Sequence, residues 1–191
     1  MKKEQSSAQE QLELIEQTIA KAKENLSNHS FAFIFWGWLV SFSAVLNYVL
    51  LEFSELGNKS YIIWPFAMAI GAGFIILYYK NIGNTKSHQT HLEYFLSQMW
   101  MVIGGILVLF SIGIPFININ PWVIFPLIAG IGTLVSGFVL KFNPLILGGI
   151  VLLGFPLYSA LVSGSSLLLL YAAVIIISYL IPGYALKHHR A

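Results

Sequence analysis

The chain has 191 residues, 57% of them hydrophobic and 9% charged, with a formal net charge of +2 and no cysteine. Soluble domains carry charge on about a quarter of their residues, so this composition excludes a globule covered by water. The missing cysteine excludes disulfides, thiolate catalysis and cysteine-held zinc or iron–sulfur clusters, and cations scattered over tails and loops offer no basic face for nucleic acid.

Residues 1–29 are polar, with no early apolar run before a small-residue cleavage site, so the first span is expected to act as its own insertion signal. Within this segment Ala8, Leu12, Ile15, Ile19, Ala22 and Leu26 recur at intervals of four and three, a narrow apolar seam that predicts an amphipathic helix over 7–26. Ser7 and Glu10 have capping-box spacing. Glu10, Glu13 and Glu16 suit the positive end of the helix dipole, and Lys21 and Lys23 the negative end. Three surfaces could cover the seam: the membrane or the protein's own inner face, a soluble partner helix, or a second copy. Leu12, Ile15, Ile19, Ala22 and Leu26 are the candidate partner-binding residues. Ala at two of the six seam positions weakens the case for a free-standing coiled coil.

Beyond this helix the uncharged stretches 25–51, 60–79, 94–140 and 142–186 hold 139 of the 191 positions. A membrane span needs about 20 apolar residues, so the two shorter stretches hold one helix each and the two longer ones hold two. Turn-forming residues divide the long stretches, Asn118, Asn120 and Pro121 in one and Ser163, Gly164, Ser165 and Ser166 in the other. The predicted spans are 31–51, 61–80, 97–117, 121–141, 144–162 and 166–186. The fold class is therefore all-α, a polytopic membrane protein with a cytoplasmic helix and linker over 1–29, a six-helix domain over 30–187 and a tail over 188–191. Pro156 is expected to bend span five, and Pro182 with Gly183 to close span six.

Orientation follows from the cations. Lys2, Lys3, Lys21 and Lys23 precede span one, Lys80 and Lys86 follow span two, Lys141 follows span four, and Lys187 and Arg190 follow span six. Only Lys59 lies on the other side, and nine against one places both termini and the 81–96 loop in the cytoplasm. The tryptophans are expected at headgroup level, Trp36, Trp38 and Trp100 near the inner ends of their spans and Trp64 and Trp122 near the outer ends.

Gly37, Leu39, Val40, Phe42 and Ser43 of span one reappear in the same spacing as Gly105, Leu107, Val108, Phe110 and Ser111 of span three. Gly148, Gly149 and Ile150 of span five echo Gly104, Gly105 and Ile106. Among the even spans Ile63, Pro65, Ile70, Gly71 and Lys80 match Ile124, Pro126, Ile131, Gly132 and Lys141 at a constant offset of 61. Three hairpins related by a parallel repeat, arranged as a ring of six helices, account for this, with coincidence in a small apolar alphabet as the alternative. Small pairs four apart, Ala67 with Gly71, Ala69 with Gly73, Gly132 with Ser136 and Thr133 with Gly137, suit close packing within the chain, and homodimerisation is the other use of such pairs.

No acid or base lies at membrane depth, and no nucleophile elbow, phosphate-binding loop or metalloprotease motif occurs, so the chain is read as non-enzymatic and without a cofactor. The span polar residues Ser41, Ser43, Asn47, Ser111, Thr133, Ser136, Ser159 and Ser178 suit helix packing better than a solute path, Asn47 being the one to watch. The five histidines, His29, His88, His91, His188 and His189, fall on the cytoplasmic side. His88 and His91 share a helical face, but Glu93 is the only carboxylate near them, a poor basis for a metal site.

An amphipathic helix leading into Phe35-Trp36-Gly37-Trp38-Leu39, the run from Phe142 through Asn143-Pro144 to Gly148-Gly149-Ile150, and the closing Tyr179-Leu180-Ile181-Pro182-Gly183-Tyr184 resemble a group of small six-span bacterial inner-membrane proteins of unknown function. Proteins of that group are often encoded beside a transcriptional regulator, so the resemblance implies a sensing or regulatory role. It carries no catalytic residue. Two functions are expected, a membrane protein whose N-terminal helix docks a soluble partner, and a small transporter or channel for a neutral or lipophilic solute. Orientation can be tested on the cysteine-free chain. Asn58→Cys should react with a membrane-impermeant maleimide in intact cells and Ser87→Cys only after permeabilisation, and the reverse pattern would invert the topology.

Overall fold

In hydrocarbon a backbone must satisfy its own amides, and apolar stretches of about 20 residues do so within themselves as α-helices. The computed structural model describes residues 30–83, 91–113, 116, 119–162 and 164–188, which are helical without strands, and among them six helices are long and apolar enough to cross a membrane. The first, α1, is Ser30–Phe53. A 3-10 turn, Gly57–Ile62, leads into α2, Ile63–Gly83, and α3 follows as His91–Gly113. Helices α4 and α5 are Pro121–Leu140 and Asn143–Leu161. The last span is composite, with α6 (Ser166–Ile175), a π-helical turn (Ile176–Leu180) and α7 (Ile181–His188) in continuous succession. The helix predicted over 7–26, with Leu12, Ile15, Ile19, Ala22 and Leu26, lies outside the described residues.

Local chemistry explains where α4 begins and ends. Asn120 caps it by accepting from the Trp122 backbone N–H at 3.0 Å, and Pro121 fills the first-turn position that needs no N–H. At the other end Lys141 adopts the left-handed conformation, φ 52°, so that its own N–H reaches Phe138 O and the N–H of Phe142 reaches Gly137 O at 2.9 Å. That pair of bonds is a Schellman closure. The chain turns within two residues, Lys141 and Phe142, and α5 starts at once with Pro144 in its first turn.

So short a connection forces α4 and α5 into the most extensive helix pair among α2 to α7. Glycines let their backbones touch. A Cβ on Gly137 would stand 2.6 Å from the Ile146 nitrogen, and one on Gly149 would stand 2.7 Å from the Leu134 Cα. This pair cuts across the hairpins expected from the repeat. Within the first two of those hairpins one device does recur: Trp36 and Leu39 of α1 straddle Gly71 of α2, and Trp100 and Ile103 of α3 straddle Gly132 of α4. The odd-span glycines are not equivalent, since Gly37 packs on Leu180 and Tyr179 whereas a Cβ on Gly105 would meet nothing within 4 Å.

The last span is the most buried of the six. Of its most apolar window 56% is buried, against 11% for those of α2 and α3. Gly37 of α1 meets Leu180, Gly148 of α5 meets the Ser178 backbone, and Gly183 of α7 meets Ile34 of α1, so small residues on both sides admit this span to the centre. Pro182 and Gly183 therefore do not close the helix, which runs on to His188. Proline at 182 has no N–H for the Ser178 carbonyl and its ring would collide with it. The turn before it widens instead, with the Ile181 N–H bonding Ile176 O five residues back, and the glycine at 148 leaves room for the Ser178 carbonyl, which a Cβ would meet at 2.6 Å. Pro126 and Pro156 sit inside helices that run unbroken.

Most of the tryptophans turn into the bundle. Trp36, Trp64, Trp100 and Trp122 pack against the core, and Trp38 alone is exposed, its Nε1 donating to the Tyr184 hydroxyl at 3.1 Å. Trp36 against Gly71 and Trp100 against Gly132 fill the spaces that those glycines leave between spans.

Gly149→Ala should lower the melting temperature of the detergent-solubilised protein, at a cost of about 1–3 kcal/mol for overpacking. Gly105→Ala, facing open space in α3, should leave it unchanged or raise it slightly, by up to about 1 kcal/mol of helix propensity.

Candidate functional site

Asn47 is fully buried in the apolar interior, where an unbonded amide would cost several kcal/mol, about 4–8 on a hydrocarbon scale. The 3-10 turn that reverses the chain after α1 brings it two partners. Its Nδ2 donates to Ser60 Oγ at 2.7 Å, and its Oδ1 accepts from Trp64 Nε1 at 3.1 Å. This triad ties α1 to the start of α2 and fixes the edge of the Trp64 indole.

Trp64 in turn meets Tyr171 of α6, ring centroids 6.1 Å apart, and Trp122 of α4 meets the same ring at 5.9 Å. Phe155 of α5 packs on Tyr171 at 5.3 Å. Between the first turns of α2 and α4, above Tyr171, lies an almost wholly apolar cavity of about 50 Å³, open on one side. Five rings face it: Tyr61, Trp64, Trp122, Phe125 and Tyr171. Residues 61 and 121 thus share one end of the bundle. At the opposite end Phe33 sets its ring edge-on to Trp100 and Tyr179, and Phe31 stacks on Tyr78 with centroids 3.9 Å apart.

Most remaining span hydroxyls are occupied with backbone. Ser43, Thr133 and Ser136 each donate to the carbonyl four residues back, Ser41 to Ala172 O across the α1–α6 contact, and Ser159 to Pro156 O and Trp122 O. Ser136 also accepts from Trp100 Nε1 at 3.0 Å. Ser111 and Ser178 are buried with no partner for their hydroxyls among the described residues. Leu145, Leu152, Leu168, Ile175 and Thr133 are all inaccessible and close the centre.

Of the histidines, His91 and His188 are described and both are exposed, whereas His29, His88 and His189 lie outside the described residues. No group of three or more His, Asp or Glu comes together among the described residues. The five predicted partner-binding residues of the N-terminal helix are outside them too.

Sequence reasoning singled out Asn47 but missed the cavity beside it. A signal existed in the offset of 61 between even spans, at which Tyr61 corresponds to Trp122 and Trp64 to Phe125. Four of the five rings are thus two matched pairs, one at the start of each helix. Comparison with family models, curated proteins and solved structures finds no match to this chain.

Replacing Asn47 with Leu should destabilise the protein by about 1–2 kcal/mol. Trp64→Phe should cost clearly less in that background than in the wild type, as read from detergent melting curves. Additive costs would show that the indole and the amide are uncoupled.

Proposed function

We propose that this chain is a non-enzymatic bacterial inner-membrane protein with both termini in the cytoplasm, and that it acts by docking a soluble partner on its N-terminal helix. The observation that carries this reading is the closed centre, in which the last span is packed among the others and most buried hydroxyls bond backbone carbonyls. A bundle of this kind suits an anchor better than a conduit. Both ends of the described chain also emerge together, since Gly183 packs on Ile34 and Trp38 bonds Tyr184. The start of α1 therefore stands beside the C-terminal end of the last span. A shift of one against the other would reach the docking helix directly. The resemblance to six-span proteins encoded beside regulators makes a transcriptional regulator the partner of first choice.

The finer architecture belongs to the same proposal. Three hairpins in parallel repeat draw support from the shared glycine device of α1–α2 and α3–α4. Homodimerisation draws support from α3, where Gly104 and Gly105 have no neighbour within 4 Å of an added Cβ. The second reading, a small transporter or channel for a neutral or lipophilic solute, rests on the apolar cavity alone, and the packed layer beneath it argues for binding rather than passage.

Replacing Leu12, Ile15 and Ile19 together with Asp should release the partner while the bundle still inserts. Quantitative comparison of proteins crosslinked to wild type and variant in membranes tests this. An identical crosslinked set, with equal membrane levels of both proteins, would refute docking through the seam.

A further inference from the structure

Aromatic rings near a membrane surface ordinarily face the headgroups. Here Trp64 and Trp122 are turned into the bundle and packed on Tyr171, which is 6% exposed, and the space between them is left open. Plain packing does not require this, because in lipid an aliphatic side chain would fill the gap as well. Nor does an alkyl chain have a reason to occupy it, since leaving one hydrocarbon environment for another yields no hydrophobic gain. Aromatic faces hold one class of group that lipid chains do not, a weakly hydrated cation.

We infer that the cavity between α2 and α4 is a binding site for a quaternary ammonium group of the trimethylammonium type, carried by a lipid headgroup or by a free solute. Size agrees. One water needs about 10–15 Å³, so about 50 Å³ admits roughly four water-sized groups, enough for a methylated ammonium and too little for a sugar. Charge agrees as well. Among the described residues no Lys, Arg or His lines the cavity, and the end of α1 with the turn after it carries Glu52 and Glu55 against Lys59. Both walls are held before any ligand arrives. Asn47 fixes the Trp64 indole, and on the other side the Trp122 N–H is bonded to the Asn120 cap while its carbonyl accepts from Ser159. Walls fixed in advance lose little conformational freedom on binding. The two matched aromatic pairs, Tyr61 with Trp122 and Trp64 with Phe125, place rings on both flanks of the site, with Tyr171 between the two indoles.

The test is binding of radiolabelled choline to the full chain in nanodiscs of phosphatidylglycerol and phosphatidylethanolamine, with 3,3-dimethylbutan-1-ol, its uncharged carbon isostere, as competitor. Saturable binding is expected, with the isostere about tenfold weaker than unlabelled choline. Trp122→Leu should weaken binding by about tenfold and Trp122→Phe by less, because ring strength rather than volume is at issue. Should Trp122→Leu fail to fold, Trp122→Phe and the isostere comparison still decide. Phosphatidylcholine discs separate the sources, since a lower apparent affinity for choline there identifies the headgroup as ligand and an unchanged one identifies a free solute. Absence of saturable binding, equal potency of the isostere, or undiminished binding by folded Trp122→Leu would overturn the assignment.

Discussion

Helices in hydrocarbon gain nothing from hiding apolar surface, so this bundle depends on how near its backbones can come. Gly37, Gly148 and Gly183 set that distance around the last span, and Gly137 and Gly149 set it between α4 and α5. Where such approach is absent, as at Gly104 and Gly105 of α3, the helix stays at the periphery. The central position of the last span explains its π-helical turn. A span held on several sides cannot bend away at Pro182, so the turn before the proline widens and the neighbouring glycine makes room.

Polar groups impose the second constraint. Hydroxyls meet it locally by bonding carbonyls of their own helix, which costs no tertiary arrangement. An amide cannot do so as easily. Asn47 needs a donor and an acceptor from elsewhere, and Ser60 and Trp64 supply them only because the 3-10 turn folds back against α1. That one side chain links the chain reversal to the orientation of an indole, and the indole to the wall of a cavity. Structural need and a ligand site thus share the same residues.

Span number and most boundaries were legible because charge and turn residues are excluded from hydrocarbon at a strong penalty, leaving a plain pattern. α4 and α5 fall within one residue of expectation for the same reason. Pro182 was misread because in water a proline near a helix end usually marks its stop, whereas packing on both sides kept this helix going. The inward turn of four tryptophans was not legible, because a belt position and a core position near the membrane surface have the same depth and differ only in direction. Asn47 stood out as an amide deep in a predicted span, but its partners, 13 and 17 residues away, could not be paired without the turn between them.

By itself the sequence determined that six stretches are long and apolar enough to cross a membrane and that an apolar seam stands ahead of the first, since each follows from local hydropathy and charge. Tertiary structure decided which helix stands at the centre, which glycines meet a neighbour, and that five rings gather around an open space. Those outcomes depend on direction around each helix axis and on contacts between distant segments. An almost uniformly apolar alphabet records depth in the bilayer well and rotation about the axis poorly.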